Sequence, residues 1–317
     1  MSPPEKPFEP VELSIGTLSN ATGVPVETLR TWERRYGFPT PITRTEGSHR
    51  RYAAETIGVV QLIVRALDLG YRPSAVVGRD PEALRRLLWD ASREPLSQGD
   101  AAAQDRPGLQ RWVELTRAFD GDGLTSEFHQ SLAEMAAIEF LERCMGPYLV
   151  EIGELWARGS LRVSHEHFAS EKAREFLSTQ WRLLSDAVRP DRPKVVLATP
   201  PRERHVLGLH MAAWVVARAD AEVVFLGADT PMIEVAFAAE RYGASGVVLS
   251  IAAGYGGDLE AQARELVERL PPGARVAIGG AGGRSIEASG AQYLNGFRDL
   301  LRWANALTIG PKDVLPS

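Results

Sequence analysis

After Lys194 the chain settles into one repeating pattern. Four short apolar runs, Val195–Ala198, Val223–Leu226, Val247–Ile251 and Arg275–Ile278, alternate with helical periodicity at His205–Ala219, Met232–Tyr242 and Leu259–Leu270. A weaker run at Gln292–Leu294 and a last helical stretch, Phe297–Leu307, complete the set. Strands joined through helices run parallel, and a parallel sheet needs both faces covered. This part of the chain is therefore expected to be a flavodoxin-like, Rossmann-type α/β domain. Such sheets bind ligands beyond the carboxyl ends of their strands, and the unusual residues fall there. Glu203-x-His205-x-x-Gly208 follows the first run and Leu226-Gly-Ala-Asp-Thr-Pro231 the second, while Ser250 ends the third and Gly279-Gly280-Ala-Gly-Gly283 the fourth. A neutral imidazole at a sheet mouth is placed to ligate a metal, and a carboxylate two residues earlier can accept its other ring N–H. By itself, a histidine in such a turn is more often an ordinary surface residue.

A chain of 317 residues has room for two or three domains. Its one cysteine, Cys144, rules out an intramolecular disulfide framework and reads as a small buried hydrophobe in a reducing compartment. Residues 1–10 hold no apolar targeting core and read as a disordered leader, and residues 311–317 as a tail. No apolar run reaches the roughly 18–20 residues of a membrane span, so a soluble, cytoplasmic protein with no membrane partner is expected. The net charge of −5 gives no global basic field, but a local one remains possible.

That local field is at the other end. Leu13, Ile15, Leu18 and Ala21 mark a short helix with Ser14 as candidate N-cap, Thr22-Gly23-Val24 a tight turn, and Pro25–Arg35 a second helix. Val26, Leu29 and Trp32 line one side of that helix, and Arg30, Arg34 and Arg35 the other. Tyr36-Gly37-Phe38-Pro39 ends it, and residues 44–52 form a basic wing around Gly47. From Arg30 to Arg51 there are six arginines against two acids, Glu33 and Glu46. A helix turning at glycine into an Arg-bearing helix is the arrangement that places a recognition helix in a DNA major groove. Another helix is expected over Ala54–Leu69. The run Leu29-Arg-Thr-Trp-Glu-Arg-Arg-Tyr-Gly-Phe-Pro39, with its Gly-Ser-His-Arg-Arg-Tyr wing, resembles the winged-helix DNA-binding domain of the MerR family. That resemblance implies operator DNA as partner. It puts Arg30, Arg34 and Arg35 in the groove, gives Arg50, Arg51 and Tyr52 to phosphates, and makes the protein a homo-oligomer, dimer or tetramer.

Between these ends, residues 91–107 are polar, Pro- and Gly-punctuated and aperiodic, as in a linker. Helical periodicity then returns at Leu109–Asp120, Leu124–Met135, Ile138–Gly159 and His165–Val188, which suggests a four-helix bundle. Trp156 and the pair Glu166-His167, with nine residues between, sit at the end of one helix and the start of the next. On their own they read as a core aromatic and a first helical turn. The expected division is 11–90 for the winged helix, 108–190 for the bundle and 191–310 for the α/β domain.

The spacing from Glu203-x-His205-x-x-Gly208 to Ser250, with 41 residues between, and on to Gly279-Gly280, with 28 between, is similar to the motif of cobalamin-binding domains of the methionine synthase type. The resemblance implies cobalamin, with His205 as lower cobalt ligand and Glu203 its orienting partner. Gly208, Ser250, Gly279 and Gly280 would make room for the displaced nucleotide tail. Ala252 departs from that family, which usually has a larger aliphatic residue or Thr there; looser packing near the tail is expected. The order of the three domains, with the Trp-x9-Glu-His signature, resembles CarH-type light-responsive repressors. This implies adenosylcobalamin, with Trp156, Glu166 and His167 capping its upper face. It also implies a regulator rather than an enzyme, which binds DNA in the dark and releases it when light breaks the cobalt–carbon bond. Ala157 stands where that family commonly has a histidine that ligates cobalt after illumination, and His165 is a candidate substitute. Two alternatives stay open, a light-insensitive cobalamin-sensing regulator and a corrinoid methyl carrier.

Overall fold

The computed structural model describes residues 12–44, 50–68, 71–92, 108–185, 191–284, 286 and 290–308. The expected leader, most of the expected linker, the wing tip at 45–49 and the tail lie outside them. The chain divides into two units, one of residues 1–90 with 157–159 and the other of 91–156 with 160–317.

The first unit opens with strand β1 (Glu12–Ser14) and helix α1 (Ile15–Thr22). Leu13, expected in the helix, instead pairs with Tyr52 in a three-stranded antiparallel sheet of order β1-β3-β2, where β2 is Thr43–Arg44 and β3 Arg50–Ala53. Ser14 caps α1, its hydroxyl accepting the Thr17 N–H at 3.1 Å. Helix α2 (Val26–Tyr36) stops at Gly37, whose φ of 72° is the left-handed conformation that glycine adopts without penalty. Leu29 and Trp32 on α2 are buried, as are Val60, Ile63 and Ala66 on α3 (Thr56–Asp68). Short α4 (Pro73–Val76) and α5 (Pro81–Ser92) follow, and α5 takes up the first two residues of the expected linker.

Tyr52 requires a correction. Expected to contact phosphate, it is 0% exposed and part of the core. Arg50 and Tyr52 lie two apart in β3 and so share a face, but burial rises from the exposed Arg50 at the strand's start to Tyr52 in the interior, where it pairs with Leu13 of β1. Burial, and then the nearby Glu33 carboxylate, raise the Tyr52 phenol above its ordinary pKa.

In the second unit, α6 (Leu109–Arg117), α7 (Gly121–Ala133), a long interrupted helix and α10 (Val163–Ser185) make up the helical part. The interrupted helix is α8 (Ala137–Phe140), a π-helical turn at Leu141–Met145 and α9 (Gly146–Ala157). Trp112 is the hub of its core, with ring centroids 4.6 Å from Phe128 and 5.4 Å from Tyr148, both edge-on. The Thr116 hydroxyl donates to the Trp112 carbonyl at 2.8 Å and lies 2.7 Å from the Tyr148 oxygen, so the phenol donates to it. A Thr116→Val variant keeps the volume and strands the buried phenol; urea unfolding is expected to show a loss of about 2 kcal/mol that Thr116→Ser restores.

The α/β part begins with β4 (Lys194–Ala198). It continues through α11 (Leu207–Arg218), β5 (Glu222–Gly227), α12 (Met232–Tyr242) and β6 (Gly246–Ser250) to α13 (Leu259–Arg269) and β7 (Arg275–Gly279). A 3-10 turn at Ala281–Gly283, β8 (Ala291–Leu294) and α14 (Phe297–Thr308) finish it. The sheet is parallel throughout, in the order β5-β4-β6-β7-β8, as expected of a flavodoxin-like domain. Its interior strands are almost wholly buried.

Helical and α/β parts share a core. Trp214 of α11 lies 6.0 Å from Phe140 and 6.3 Å from Phe176. Along the same seam His210 of α11 stacks on Phe225 of β5 at 4.5 Å, and its Nδ1 accepts the Trp181 indole N–H of α10 at 3.2 Å. No helix among the described residues is long and apolar enough to cross a membrane.

Candidate cofactor and nucleic-acid sites

Beyond Ala198 the chain runs through an irregular loop before α11 begins at Leu207, so His205 stands in the loop and not at the helix start the periodicity suggests. Thr199 organises that loop from inside: its buried hydroxyl donates to the Glu203 carbonyl at 2.6 Å and accepts the Asp229 N–H at 3.0 Å. Asp229, beyond β5, returns a carboxylate oxygen to the Arg202 N–H at 2.6 Å. Both hold left-handed backbone, with φ of 72° at Arg202 and 53° at Asp229, which costs a residue with a Cβ about 1 kcal/mol or more. The mutual hydrogen bonds hold that strain in place.

Glu203 is 3% exposed, and both its oxygens are in use. Oε1 accepts the His205 backbone N–H at 2.8 Å and lies 2.7 Å from the His205 Nδ1, while Oε2 accepts the Ala252 N–H at 2.9 Å. Burial works against the carboxylate's charge, but the His205 ring and the two backbone donors outweigh it and hold the group below the usual carboxylate range. An ionised Glu203 fixes the proton on His205 Nδ1 and leaves Nε2 as the lone-pair nitrogen. The His205 side chain is 68% exposed, so that nitrogen is open to a ligand.

The glycines and Ser250 gather beside it. Ser250 pairs with Gly279 across β6 and β7, and a Cβ on Gly208 would lie 3.0 Å from the Ser250 Oγ. Gly280 has φ of 86°, and a Cβ there would sit 2.3 Å from the Ile251 carbonyl oxygen, so glycine is required. A Cβ on Gly279 would meet nothing within 4 Å. The sheet thus brings together motif residues far apart in sequence. It leaves open space at Gly279, while glycine at 208 and 280 keeps Cβ atoms out of the neighbouring β6 end. These features fit cobalamin: one outward imidazole nitrogen held by a buried carboxylate, beside a glycine-bordered opening at the strand ends. Thr199, Asp229 and the Ala252 N–H escape sequence reasoning, because two are ordinary polar residues and the third is a backbone group. The departure at Ala252 is without consequence for Glu203, which uses its main chain only.

On the helical part, Trp156 is buried near the end of α9, Glu166 closes the first turn of α10 and His167 follows it. Glu166 Oε2 lies 2.8 Å from His167 Nδ1, and Oε1 accepts the Ser170 hydroxyl at 3.1 Å. This carboxylate–imidazole pair repeats the Glu203–His205 arrangement. Ala157 is buried and carries no donor. His165 is engaged elsewhere: its Nδ1 accepts the Arg162 N–H at 3.1 Å at the helix start, and its ring stacks on Phe119 at 4.5 Å.

In the first unit, Arg30, Arg34 and Arg35 lie along the exposed side of α2, away from Leu29 and Trp32. Arg30 pairs with Glu27 at 2.8 Å, but both side chains are exposed, so the pair opens at little cost. Arg50 pairs with Glu33 at 2.7 Å, and Arg51 is half-buried in β3. These arginines form a basic face on one helix and the adjoining hairpin.

A family model described as the MerR HTH family regulatory protein matches residues 13–78, and one described as a B12 binding domain matches residues 109–179. Over 280 residues the chain is 31% identical to the HTH-type transcriptional repressor CarH of Myxococcus xanthus, covering 86% of this chain and 90% of that one. Over 298 residues it is 28% identical to the HTH-type transcriptional repressor CarA of the same organism, covering 91% and 95%. Among solved structures, the Methanosarcina barkeri monomethylamine corrinoid protein aligns at a TM-score of 0.48 and 11% identity, over 62% of this chain and 96% of that one.

Proposed function

This chain belongs to the family of MerR-type, B12-binding transcriptional repressors that includes CarH and CarA, and on that premise we propose that it represses transcription in the dark and releases its operator in light. The observation that carries the cofactor half of this reading is the Glu203–His205 pair, a buried carboxylate holding Nδ1 so that Nε2 faces outward. Adenosylcobalamin, when bound, supplies a cobalt–carbon bond that visible light breaks. His205 is assigned to the lower face of cobalt and Glu203 to orienting it. Gly208, Ser250, Gly279 and Gly280 make room for the nucleotide tail. Trp156, Glu166 and His167 are assigned to the opposite face, where Trp156 would pack against the adenosyl group. Loss of that group would remove what Trp156 packs on, and would be the trigger by which the bundle (108–190) changes its packing on the α/β domain (191–310) and the dimer or tetramer comes apart. Arg30, Arg34 and Arg35 are assigned to the groove of operator DNA, and Arg50 and Arg51 to its backbone.

Ala157 gives the light state its own character. It offers no nitrogen, and at His165 the Nδ1 lone pair accepts the Arg162 N–H, which puts the ring proton on Nε2 and leaves no free lone pair. The illuminated product is therefore expected to carry water, or a ligand other than His165, in the upper position, and a His165→Ala variant to give the same illuminated spectrum as the parent.

Gel shifts and size measurements on the full chain loaded with adenosylcobalamin, dark and then under green light, test the whole scheme. Operator affinity is expected to fall about 10-fold or more on illumination, within the usual range of coupling between two sites, with a matching drop in oligomer size. A second reading, favoured by Ala157, is a regulator that senses cobalamin but not light; binding that responds to the cofactor and ignores illumination decides for it.

A further inference from the structure

We propose that Tyr255 is a positioning residue for His205, holding the loop that carries it in the one backbone shape that presents the ring. The proposal rests on the assignment of His205 as cobalt ligand made above.

Tyr255 belongs to the loop between β6 and α13, apart from the motif residues. Its phenol oxygen lies 2.8 Å from the Pro201 carbonyl oxygen and 2.7 Å from Gln262 Oε1 in the first turns of α13. A phenol has one proton, which goes to Pro201 while the Gln262 amide, turned over, donates to the phenol oxygen. Burial raises the Tyr255 pKa above its ordinary value, so the group remains a donor at neutral pH.

What Tyr255 grips is half of one peptide unit. Its C=O, from Pro201, is held by Tyr255, and its N–H, from Arg202, is held by Asp229 at 2.6 Å from the other side. Rotation of that peptide plane changes ψ of Pro201 and φ of Arg202 together. The φ of 72° at Arg202 is the strained value this plane imposes. With its carbonyl released, the plane is free to turn and Arg202 to relax to negative φ. Glu203 and His205, one and three residues on, are then carried out of register with the Ala252 N–H and the glycine-bordered opening.

Room for the phenol is itself built in. A Cβ on Gly257 would lie 2.2 Å from the Tyr255 oxygen, so Tyr255-Gly256-Gly257 is a unit in which the last glycine keeps the hydroxyl in place.

The test uses full-length protein loaded with cobalamin and reduced to the Co(II) state. The protein carries 15N-labelled histidine, and electron paramagnetic resonance then reads the two-line splitting of a coordinated histidine nitrogen, distinct from the three lines that the cofactor's own unlabelled base would give. Tyr255→Phe, which removes one oxygen and keeps the ring, is expected to leave circular dichroism and melting temperature close to the parent. It should lower the two-line fraction and weaken cobalamin binding about 10-fold, the lower end for loss of an outer-shell partner. Gly257→Ala, which keeps the phenol but displaces it, should reproduce the spectral change. A Tyr255→Phe protein with parental affinity and full splitting overturns the proposal while leaving His205 as ligand. A parent protein without the two-line splitting removes both readings together.

Discussion

Replacement of His205 by alanine is expected to abolish the two-line splitting that 15N-labelled histidine imposes on Co(II) cobalamin bound to the protein and to weaken binding about 100-fold. The estimate takes the upper end of what outer-shell partners of metal ligands contribute, since this change removes the ligand itself. The cause is local. Nδ1 is committed to Glu203 Oε1 at 2.7 Å, and the remaining nitrogen is the group this loop presents. Of the other described histidines, His129 packs edge-on against Phe176, His210 is 5% exposed and bonded to Trp181, the His165 Nδ1 accepts the Arg162 N–H, and His167 is assigned to the opposite face of the cofactor. Glu203→Gln should give an intermediate result, because an amide keeps a hydrogen bond to the ring without the charge that favours Nε2 as lone pair. Persistence of the full splitting in His205→Ala would falsify the assignment.

Acid is expected to loosen the second unit through His210. Burial, with the Arg174 and Arg182 charges of α10, pushes its pKa down to about 4, against about 6.5 in the unfolded chain. The folded pKa is the lower one, so the stability tied to a neutral His210 is complete above about pH 6.5 and drains away as pH falls towards 4. The shift corresponds to about 3 kcal/mol, lost at up to about 1.4 kcal/mol per pH unit across that window. Protonation also removes the lone pair that accepts the Trp181 indole N–H. Unfolding by urea at several pH values, as the difference between the parent and His210→Gln, isolates this contribution from the carboxylates. A variant as acid-sensitive as the parent would refute it.

How much of this could be read from residues alone depended on what each element is made of. The parallel sheet was legible because its strands are continuous β-branched runs with helices between them, and both features survive without tertiary context. Helix α12 falls on Met232–Tyr242 as its periodicity predicts. Leu13 went astray because a three-residue edge strand has too little length to compete with helical spacing, and only its partner Tyr52 reveals it. Tyr52 has a related cause: in the run Arg50-Arg51-Tyr52 composition suggests a uniformly exposed wing, while pairing with Leu13 of β1 places the third residue in the interior. The π-helical turn at Leu141–Met145 left no mark on the apolar pattern. His205, Ser250 and the glycines were found through their spacing. Asp229 and Tyr255 were not, because their partners are a backbone N–H and a backbone carbonyl, which any sequence provides.

The aromatic seam through Phe140, Phe176 and Trp214, and again through Trp181, His210 and Phe225, bears on how the sensory half of the chain can be transplanted. A boundary placed between α10 and β4 looks natural from the change in periodicity, yet it would cut through one continuous interior and expose indole and phenyl faces on both fragments. A chimera that grafts this sensor onto another output should therefore carry residues 108–308 as an undivided cassette, with the splice made upstream of Gly108.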